Sequence, residues 1–273
     1  MRTWFTAIAT AVALALAGGG PAFAQASGTA LGVDPDAEAQ ARSETRTLVV
    51  GSDIFIGDRV VTGESGLVQI QFVDNTRLVV GPRSALVIDD YLLRGDGSAG
   101  KFAVNALSGS FRFITGNAAK DRYVITTPTG TIGVRGTAFD FYVAALATYI
   151  MQLEGVSIEC LEAQGSLTGD CGTLEAMCQF GILGGGTFEV IRHADELRGE
   201  EREKAKQWFH WIQSQHGLLR EFRVPGAERC LRRPASFGND DSISDPGTST
   251  PTDTPPPPRG GNGGCSSTDN SCW

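Results

Sequence analysis

Short apolar runs separated by turn-forming residues fill the chain from about residue 47 to residue 192. Runs such as Val68–Phe72 and Tyr123–Ile125 are bounded by Gly, Pro, Asp or Asn, and they recur at spacings of about 8 to 12 residues without a helical period. Gln69 and Gln71 alternate with apolar neighbours, which predicts a strand with one buried face. The pattern predicts an all-β domain, either a multi-stranded sandwich or a stacked β-roll of solenoid type.

The first 24 residues have the pattern of a secretory signal peptide. Arg2 is followed by an apolar run that ends near Ala17, and Ala22, Phe23 and Ala24 provide a cleavage site of the small-x-small type. A Gly/Pro break after the apolar run disfavours a retained membrane helix. We therefore expect an exported mature chain from Gln25 with no transmembrane segment, located in the periplasm or, as the open alternative, outside the cell.

The cysteine pattern agrees with export. All six cysteines lie in the second half of the chain, and an even number in an oxidising compartment predicts disulfides. Spacing favours Cys160 with Cys171 and Cys265 with Cys272, which leaves Cys178 with Cys230, although other connectivities stay open. The chain has no C-x-x-C pair and no His at ligand spacing from a Cys, so we expect no zinc site.

The segments that flank the β-domain differ from it in composition. Residues 25–46 are polar and lack periodicity, which predicts a flexible leader. Residues 193–233 predict a helix, capped by Asp195 and running to about Gln215, and a return segment; Trp208 and Ile212 would dock this helix on the β-domain and leave Trp211 partly exposed. Residues 234–273 are rich in Gly, Ser, Thr and Pro, which predicts a disordered tail.

Charge and chemistry exclude several classes of function. The chain has 31 acidic and 23 basic residues, a net charge of -8, which gives no electrostatic basis for binding nucleic acid. Its three histidines, His193, His210 and His216, lie beyond the β-domain, and no nucleophile motif, metal motif or phosphate loop accompanies them. We expect no catalytic residue, no cofactor and no bound metal.

Four segments, in this order along the chain, resemble the FecR domain. They are Gly57–Gly63, Ile70–Thr76, Gly81–Ser84, and Thr127–Pro128 followed by Gly133–Phe139. The best-known FecR proteins are periplasmic regulators that receive a signal from an outer-membrane TonB-dependent receptor and pass it to a sigma factor across the inner membrane. Those proteins carry a transmembrane helix ahead of the domain, where this chain carries a cleavable signal peptide, so the resemblance is to stand-alone secreted FecR-domain proteins.

The resemblance selects a set of motif residues for which we predict structural roles. Glycines are expected at tight turns, Asp58 and Asp74 as caps of turn amides, and the threonines on strand surfaces. Asn75 replaces the usual glycine of a hairpin and is expected to adopt a left-handed conformation there. The motif residues are Gly57, Asp58, Thr62, Asp74, Pro82, Ser84, Thr127, Pro128, Arg135, Gly136 and Thr137.

Arg135 has two interpretations. The first is an ion pair with Asp140 or Asp58, and the second is a guanidinium presented to a partner. For the whole chain, the resemblance implies a non-enzymatic, protein-binding or sensory module of the bacterial envelope, with an envelope protein as its partner. The loops and sheet edges of residues 57–140 are the expected surface. The alternative is a structural or glycan-binding module without a signalling role.

Overall fold

The computed structural model describes residues 25–42, 44–93, 99–117, 123–161 and 170–232. The predicted signal peptide, the Cys265–Cys272 pair and the tail at 234–273 lie outside these residues. The strands are β1 (Gly28–Asp34), β2 (Ala37–Gln40), β3 (Thr45–Thr47), β4 (Asp53–Ile54), β5 (Arg59–Thr62), β6 (Leu67–Phe72), β7 (Arg77–Val80), β8 (Ala85–Leu93), β9 (Ala99–Ile114), β10 (Tyr123–Thr127), β11 (Gly130–Val143), β12 (Ala147–Leu161), β13 (Cys171–Leu174), β14 (Phe180–Gly184) and β15 (Thr187–Ile191).

The strands form a two-layered sandwich, which confirms the all-β prediction. The first layer has the order β4-β1-β6-β7-β9-β11-β12-β14-β15, and the second has the order β3-β2-β5-β8-β9-β10-β11-β12-β13. The long strands β9, β11 and β12 take part in both layers. Neighbours are antiparallel except β9 and β10, which are parallel. β11 passes between the layers at a bulge that lies between Arg135 and Ala138.

An aromatic core fills the space between the layers. Phe72, Phe102, Phe113, Tyr123 and Phe139 are all at most 1% exposed, and successive rings lie 4.9–5.7 Å apart. Aliphatic side chains of both inner faces surround the rings. Because alternate residues of each strand point inward, the period-2 pattern of the sequence places these side chains in one core.

The expectation of a flexible leader over residues 25–46 is wrong. β1 pairs with β6 and with β4, and β2 pairs with β3 and β5. The inward side chains are small: Ala30, Ala37 and Ala39 are at most 1% exposed. Alanine gives a weak hydrophobic signal, so the alternation of these strands is hard to recognise in the sequence even though it is present.

A C-terminal segment, Ala194–Leu231, covers the outer face of the first layer. It contains the 3-10 turn Ala194–Glu196, the helices α1 (Gly199–Trp208) and α2 (His210–Gln213), and the 3-10 turns Arg220–Phe222 and Ala227–Arg229. The continuous helix expected from Asp195 is wrong, because His193 caps the first turn and the chain breaks at Phe209. Phe209 is fully buried, so the break directs its ring into the core.

The covering segment explains two further differences from the sequence-based expectations. Gln69, expected on an exposed face of β6, is 3% exposed because the segment lies over it. Trp208 and Ile212 pack on the β-domain as predicted. Trp211, however, was expected to be partly exposed and is 4% exposed, because it packs with Leu67, Val79 and Phe222.

Two disulfides lie among the described residues, one within the β-domain and one between the β-domain and the C-terminal segment. Cys160–Cys171 joins β12 to β13, and Cys178–Cys230 joins the loop before β14 to the C-terminal segment. Both pairings confirm the prediction. Within the residues that the structure describes, no helix is long and apolar enough to cross a membrane.

Candidate functional site

The motif residues lie at five separate places in the β-domain. The first is the turn before β5, where Gly57 has a φ of 87° and Asp58 is 2% exposed. The Asp58 carboxylate accepts a hydrogen bond from the Phe55 amide at 2.9 Å and pairs with Arg46 at 2.6 Å. Asp58 therefore holds the turn closed and links it to β3.

The second place is the hairpin between β6 and β7. Asn75 has a φ of 65°, which confirms the left-handed conformation expected of it. The carboxylate of Asp74, 1% exposed, accepts hydrogen bonds from the Thr76 amide at 3.1 Å and from the Tyr123 hydroxyl at 2.9 Å. Asp74 thus joins the hairpin to β10 in the opposite layer.

The third place is the turn between β7 and β8, which contains Pro82. The Thr62 hydroxyl donates to the Gly81 carbonyl at 2.5 Å and accepts from the Ser84 amide at 3.0 Å. The Ser84 hydroxyl accepts from the Ser110 amide at 2.9 Å. Two motif residues therefore fasten β5, the turn and β9 together, and Thr62 and Ser84 are both buried.

The fourth place is the turn between β10 and β11. Pro128 is exposed within this turn. Thr127, 2% exposed, donates to the Gly130 carbonyl at 3.0 Å and accepts from the Thr148 hydroxyl at 3.0 Å. The turn is thereby tied to the start of β12.

The fifth place is the bulge where β11 changes layer. Gly136 and Gly155 face each other with φ values of 67° and 72°. A Cβ atom on Gly155 would lie 2.1 Å from the Gly136 carbonyl oxygen, so the two backbones can approach only because residue 155 is a glycine. Thr137 follows in the bulge, and its hydroxyl oxygen accepts a hydrogen bond from the side-chain nitrogen Nε2 of Gln152 at 2.6 Å.

A buried chain of polar side chains runs along β12 from this bulge. Gln152 also donates to the carbonyl oxygens of Glu154 and Gly155, each at 2.9 Å. The Ser157 hydroxyl lies 2.9 Å from Oε1 of Gln152 and 2.5 Å from Oε1 of Glu159. Gln152, Ser157 and Glu159 have no exposed surface. The chain therefore leads from a motif residue to a carboxyl group in the interior.

Glu159, at the inner end of these polar side chains, has a strongly raised pKa. It pairs across the sheet with Ile132 and Gly172, on the inner face of the second layer, and among the described residues its Oε2 atom has no hydrogen-bond partner. Burial raises the pKa of Glu159 to about 8, while the hydrogen bond from Ser157 lowers it by less. At neutral pH the carboxyl group is consequently protonated and uncharged.

A second buried acid lies beneath the C-terminal segment. Arg112 and Asp140, on neighbouring strands β9 and β11, form two hydrogen bonds of 2.6 and 2.8 Å between guanidinium and carboxylate. The guanidinium also donates to Oε1 of Gln215 and lies 5.6 Å from the centre of the Trp211 ring. Burial raises the pKa of Asp140, and Arg112 opposes this rise. The pair is thus a structural anchor for the C-terminal segment.

Arg135 does not form the expected ion pair. Asp58 is bonded to Arg46 and Asp140 to Arg112, and Arg135 is exposed at the start of the bulge. The other charged or hydroxyl-bearing motif side chains, Asp58, Thr62, Asp74, Ser84, Thr127 and Thr137, are all buried. Among the motif residues, Arg135 is therefore the charged side chain that solvent or a partner can reach.

Sequence reasoning missed Arg112, Gln152 and Glu159, and it offered Arg135 rather than Arg112 as the partner of Asp140. Arg112 lies between Phe111 and Phe113, and Asp140 lies between Phe139 and Phe141. A charged residue with aromatic neighbours on both sides indicates a strand that is buried on both faces. No signal of that kind marks Glu159. No group of three or more His, Cys, Asp or Glu side chains in the described ranges could hold a metal ion.

The fold and these contacts define a β-sandwich module in which most motif side chains fasten turns. The family model described as FecR protein matches residues 58–156, which confirms the resemblance seen in the sequence. No curated protein matches the chain.

Two solved structures of a candidate anti-sigma factor from Parabacteroides distasonis ATCC 8503, determined at 1.65 and 2.50 Å, are similar to the chain. Each has 10% sequence identity and a TM-score of 0.38. The similarity covers 57% of this chain and 65% and 64% of those chains, which is less than two thirds of their length.

Proposed function

We propose that the protein is an exported regulatory or sensory module of the bacterial cell envelope that acts by binding another protein and not by catalysis. The match to the FecR family model supports the regulatory class. The signal-peptide pattern of residues 1–24 and the two disulfides support export, because disulfides persist in oxidising compartments.

The exposure of Arg135 is the observation that carries the binding proposal. The fold uses the buried motif side chains for its own hydrogen bonds, whereas Arg135 is exposed on a bulge that Thr137 fastens through hydrogen bonds with Thr115 and Gln152. A guanidinium on a rigid backbone can form paired hydrogen bonds with a carboxylate of a partner at low entropic cost. The partner surface is therefore expected to be acidic where it meets Arg135.

Cross-linking in intact cells tests the proposal. A photo-reactive residue replaces exposed Val73, within the surface of residues 57–140, and captured proteins are identified by mass spectrometry. We expect a defined protein partner whose capture falls about tenfold in Arg135→Ala, the loss of a charged contact at an interface. Arg220→Ala, which removes an exposed arginine outside the FecR match, is expected to leave capture unchanged.

Equal loss of capture in both variants, or capture of peptidoglycan without protein, would contradict the proposal. Trp211, an aromatic side chain that a glycan could have stacked on had it been exposed, is buried, which gives the glycan-binding alternative no support at this position. Purified protein that turned over a substrate and lost this activity on substitution of one buried acid would contradict the non-catalytic part.

A further inference from the structure

Four strands of the sandwich have a neighbour on one side only among the described residues. β4 has two residues and β3 has three. β13 has four and is joined to its neighbour by the Cys160–Cys171 disulfide. β15 has five residues, in unbroken register with β14. Short or cross-linked edges resist the addition of a further strand, but β15 lacks these protections, and it contains neither proline nor lysine.

The backbone of β15 offers hydrogen bonds on its far side. The hairpin from β14 turns through Gly185 and Gly186, both with positive φ, so Gly184 and Thr187 form the first hydrogen-bonded pair. Along an antiparallel ladder, hydrogen-bonded residue pairs alternate with pairs that are not hydrogen-bonded to each other. Phe188 and Val190 therefore direct their backbone N–H and C=O groups away from β14, where an added strand could bond to them.

The side chains of β15 differ on its two faces. On the inner face, the Phe188 ring lies against Gly172 and Gly181, and Val190 is 40% exposed. On the outer face, Glu189 is exposed at the middle of the strand. An added strand would meet apolar surface on one face and a carboxylate on the other.

The position of Glu189 selects between two occupants of this edge. In a pair of β15 strands from two copies, centred so that all five residues pair, Glu189 would lie opposite Glu189 of the second copy. Like charges directly opposite destabilise a strand pair, whereas opposite charges stabilise it. A strand with a basic residue opposite Glu189 and apolar residues on either side of it fits the edge better than a second copy does.

We propose that β15 is a docking edge for an extended segment of a partner protein, which adds to the first layer as a further strand and places Lys or Arg against Glu189. Main-chain hydrogen bonds provide the affinity, and Glu189 with the exposed part of Val190 provides the selectivity. This inference rests on the proposed protein-binding function and names the chemistry of the bound segment. The edge lies beyond the region that matches the FecR model.

Binding of two fluorescent seven-residue peptides to the purified protein tests the proposal. Both alternate threonine and valine, and the central residue is lysine in one and glutamate in the other. We expect the lysine peptide to bind about fivefold more tightly, and Glu189→Lys to reverse the preference. Val190→Pro removes an N–H that β14 does not use, so the fold should survive while binding weakens about tenfold or more. Glu175→Lys, a charge reversal at an exposed position outside β15, is the matched control and is expected to leave the preference for the lysine peptide unchanged.

An N-methylated lysine peptide gives a second measurement that leaves the protein unchanged. Methylation of the backbone amides that face β15 is expected to abolish binding. Equal binding of the lysine and glutamate peptides, full binding by Val190→Pro, or no binding of either peptide would overturn the proposal, as would a dimer that Val190→Pro dissociates. If Val190→Pro still captures the Arg135-dependent partner in cells, the docking edge is refuted while the protein-binding function stands.

Discussion

Asp140 and Glu159 are both completely buried, yet the molecule treats the two carboxyl groups in opposite ways. Asp140 lies on the outer face of the first layer, where Arg112 bonds to both of its oxygens and the C-terminal segment covers the pair. Glu159 lies between the layers, where Ser157 provides one hydrogen bond and Oε2 has no partner within the part of the chain that the structure describes.

The comparison shows two ways to place an acid in a protein interior. A buried charge is tolerated when a counter-charge and hydrogen bonds replace the lost water. Without a counter-charge, the carboxyl group takes up a proton and remains neutral. Asp140 follows the first way and anchors a separate segment, whereas Glu159 follows the second and makes the stability of the fold dependent on pH.

Replacing Arg112 should have the largest effect. Arg112→Met leaves the Asp140 carboxylate buried without a counter-charge, and Oε1 of Gln215 loses one of its two hydrogen-bond donors, the other being the Val224 amide. We expect the free energy of unfolding to fall by about 3–5 kcal/mol, measured by urea denaturation. The double variant Arg112→Met with Asp140→Leu removes both charges and is expected to regain most of the loss. A single variant within about 1 kcal/mol of the unmodified protein would show that the pair is not an anchor.

The two disulfides should differ in how much each contributes to the free energy of unfolding. Cys178–Cys230 closes a loop with a sequence separation of 52, and Cys160–Cys171 one of 11. Loop-closure entropy predicts losses of about 4 and about 3 kcal/mol when each pair is replaced by alanines. Loss of the longer link should also raise hydrogen exchange across Ala194–Leu231, because that link holds the C-terminal segment. A larger loss of stability on removal of Cys160–Cys171 than on removal of Cys178–Cys230 would contradict the explanation by loop length.

Glu159→Gln should stabilise the protein at alkaline pH. In the unfolded chain this carboxyl group ionises near 4.5, whereas in the folded protein it keeps its proton up to about 8. The unfolded state therefore binds fewer protons between these values, so the contribution of Glu159 to the free energy of unfolding falls as the pH rises through this window. Glutamine does not ionise, so we expect a gain of roughly 2–4 kcal/mol above about pH 8 and almost none near pH 4.5.

Paired unfolding curves at several pH values measure this difference. Glu175→Gln, at an exposed position in the loop after β13, is the matched control and is expected to give no gain. A Glu159→Gln variant whose advantage does not grow with pH would show that Glu159 is ionised in the folded protein.

The two acids also show what the sequence can and cannot predict. Turns, strand alternation and the Cys160–Cys171 link depend on residues close together in the chain, and these predictions hold. The anchor joins Arg112 to Asp140, 28 residues away, and to Gln215, 103 residues away, so no local pattern reveals it. Glu159 stands in the alternating stretch Val156–Cys160, where a charged residue normally indicates the exposed face of a strand.

Ser157→Ala should have the smallest effect and tests the protonation of Glu159 most directly. The hydroxyl of Ser157 stabilises the ionised carboxylate and so lowers the pKa of Glu159 against the effect of burial. Its removal should raise that pKa further and reduce the free energy of unfolding by about 1 kcal/mol. Thr137→Val alters the opposite end of the same polar chain, where Gln152 keeps its bonds to Glu154 and Gly155, and should leave the pKa unchanged. Carbon-13 titration of the Glu159 carboxyl group distinguishes these outcomes. Equal midpoints in Ser157→Ala and the unmodified protein would mean that burial alone keeps Glu159 protonated.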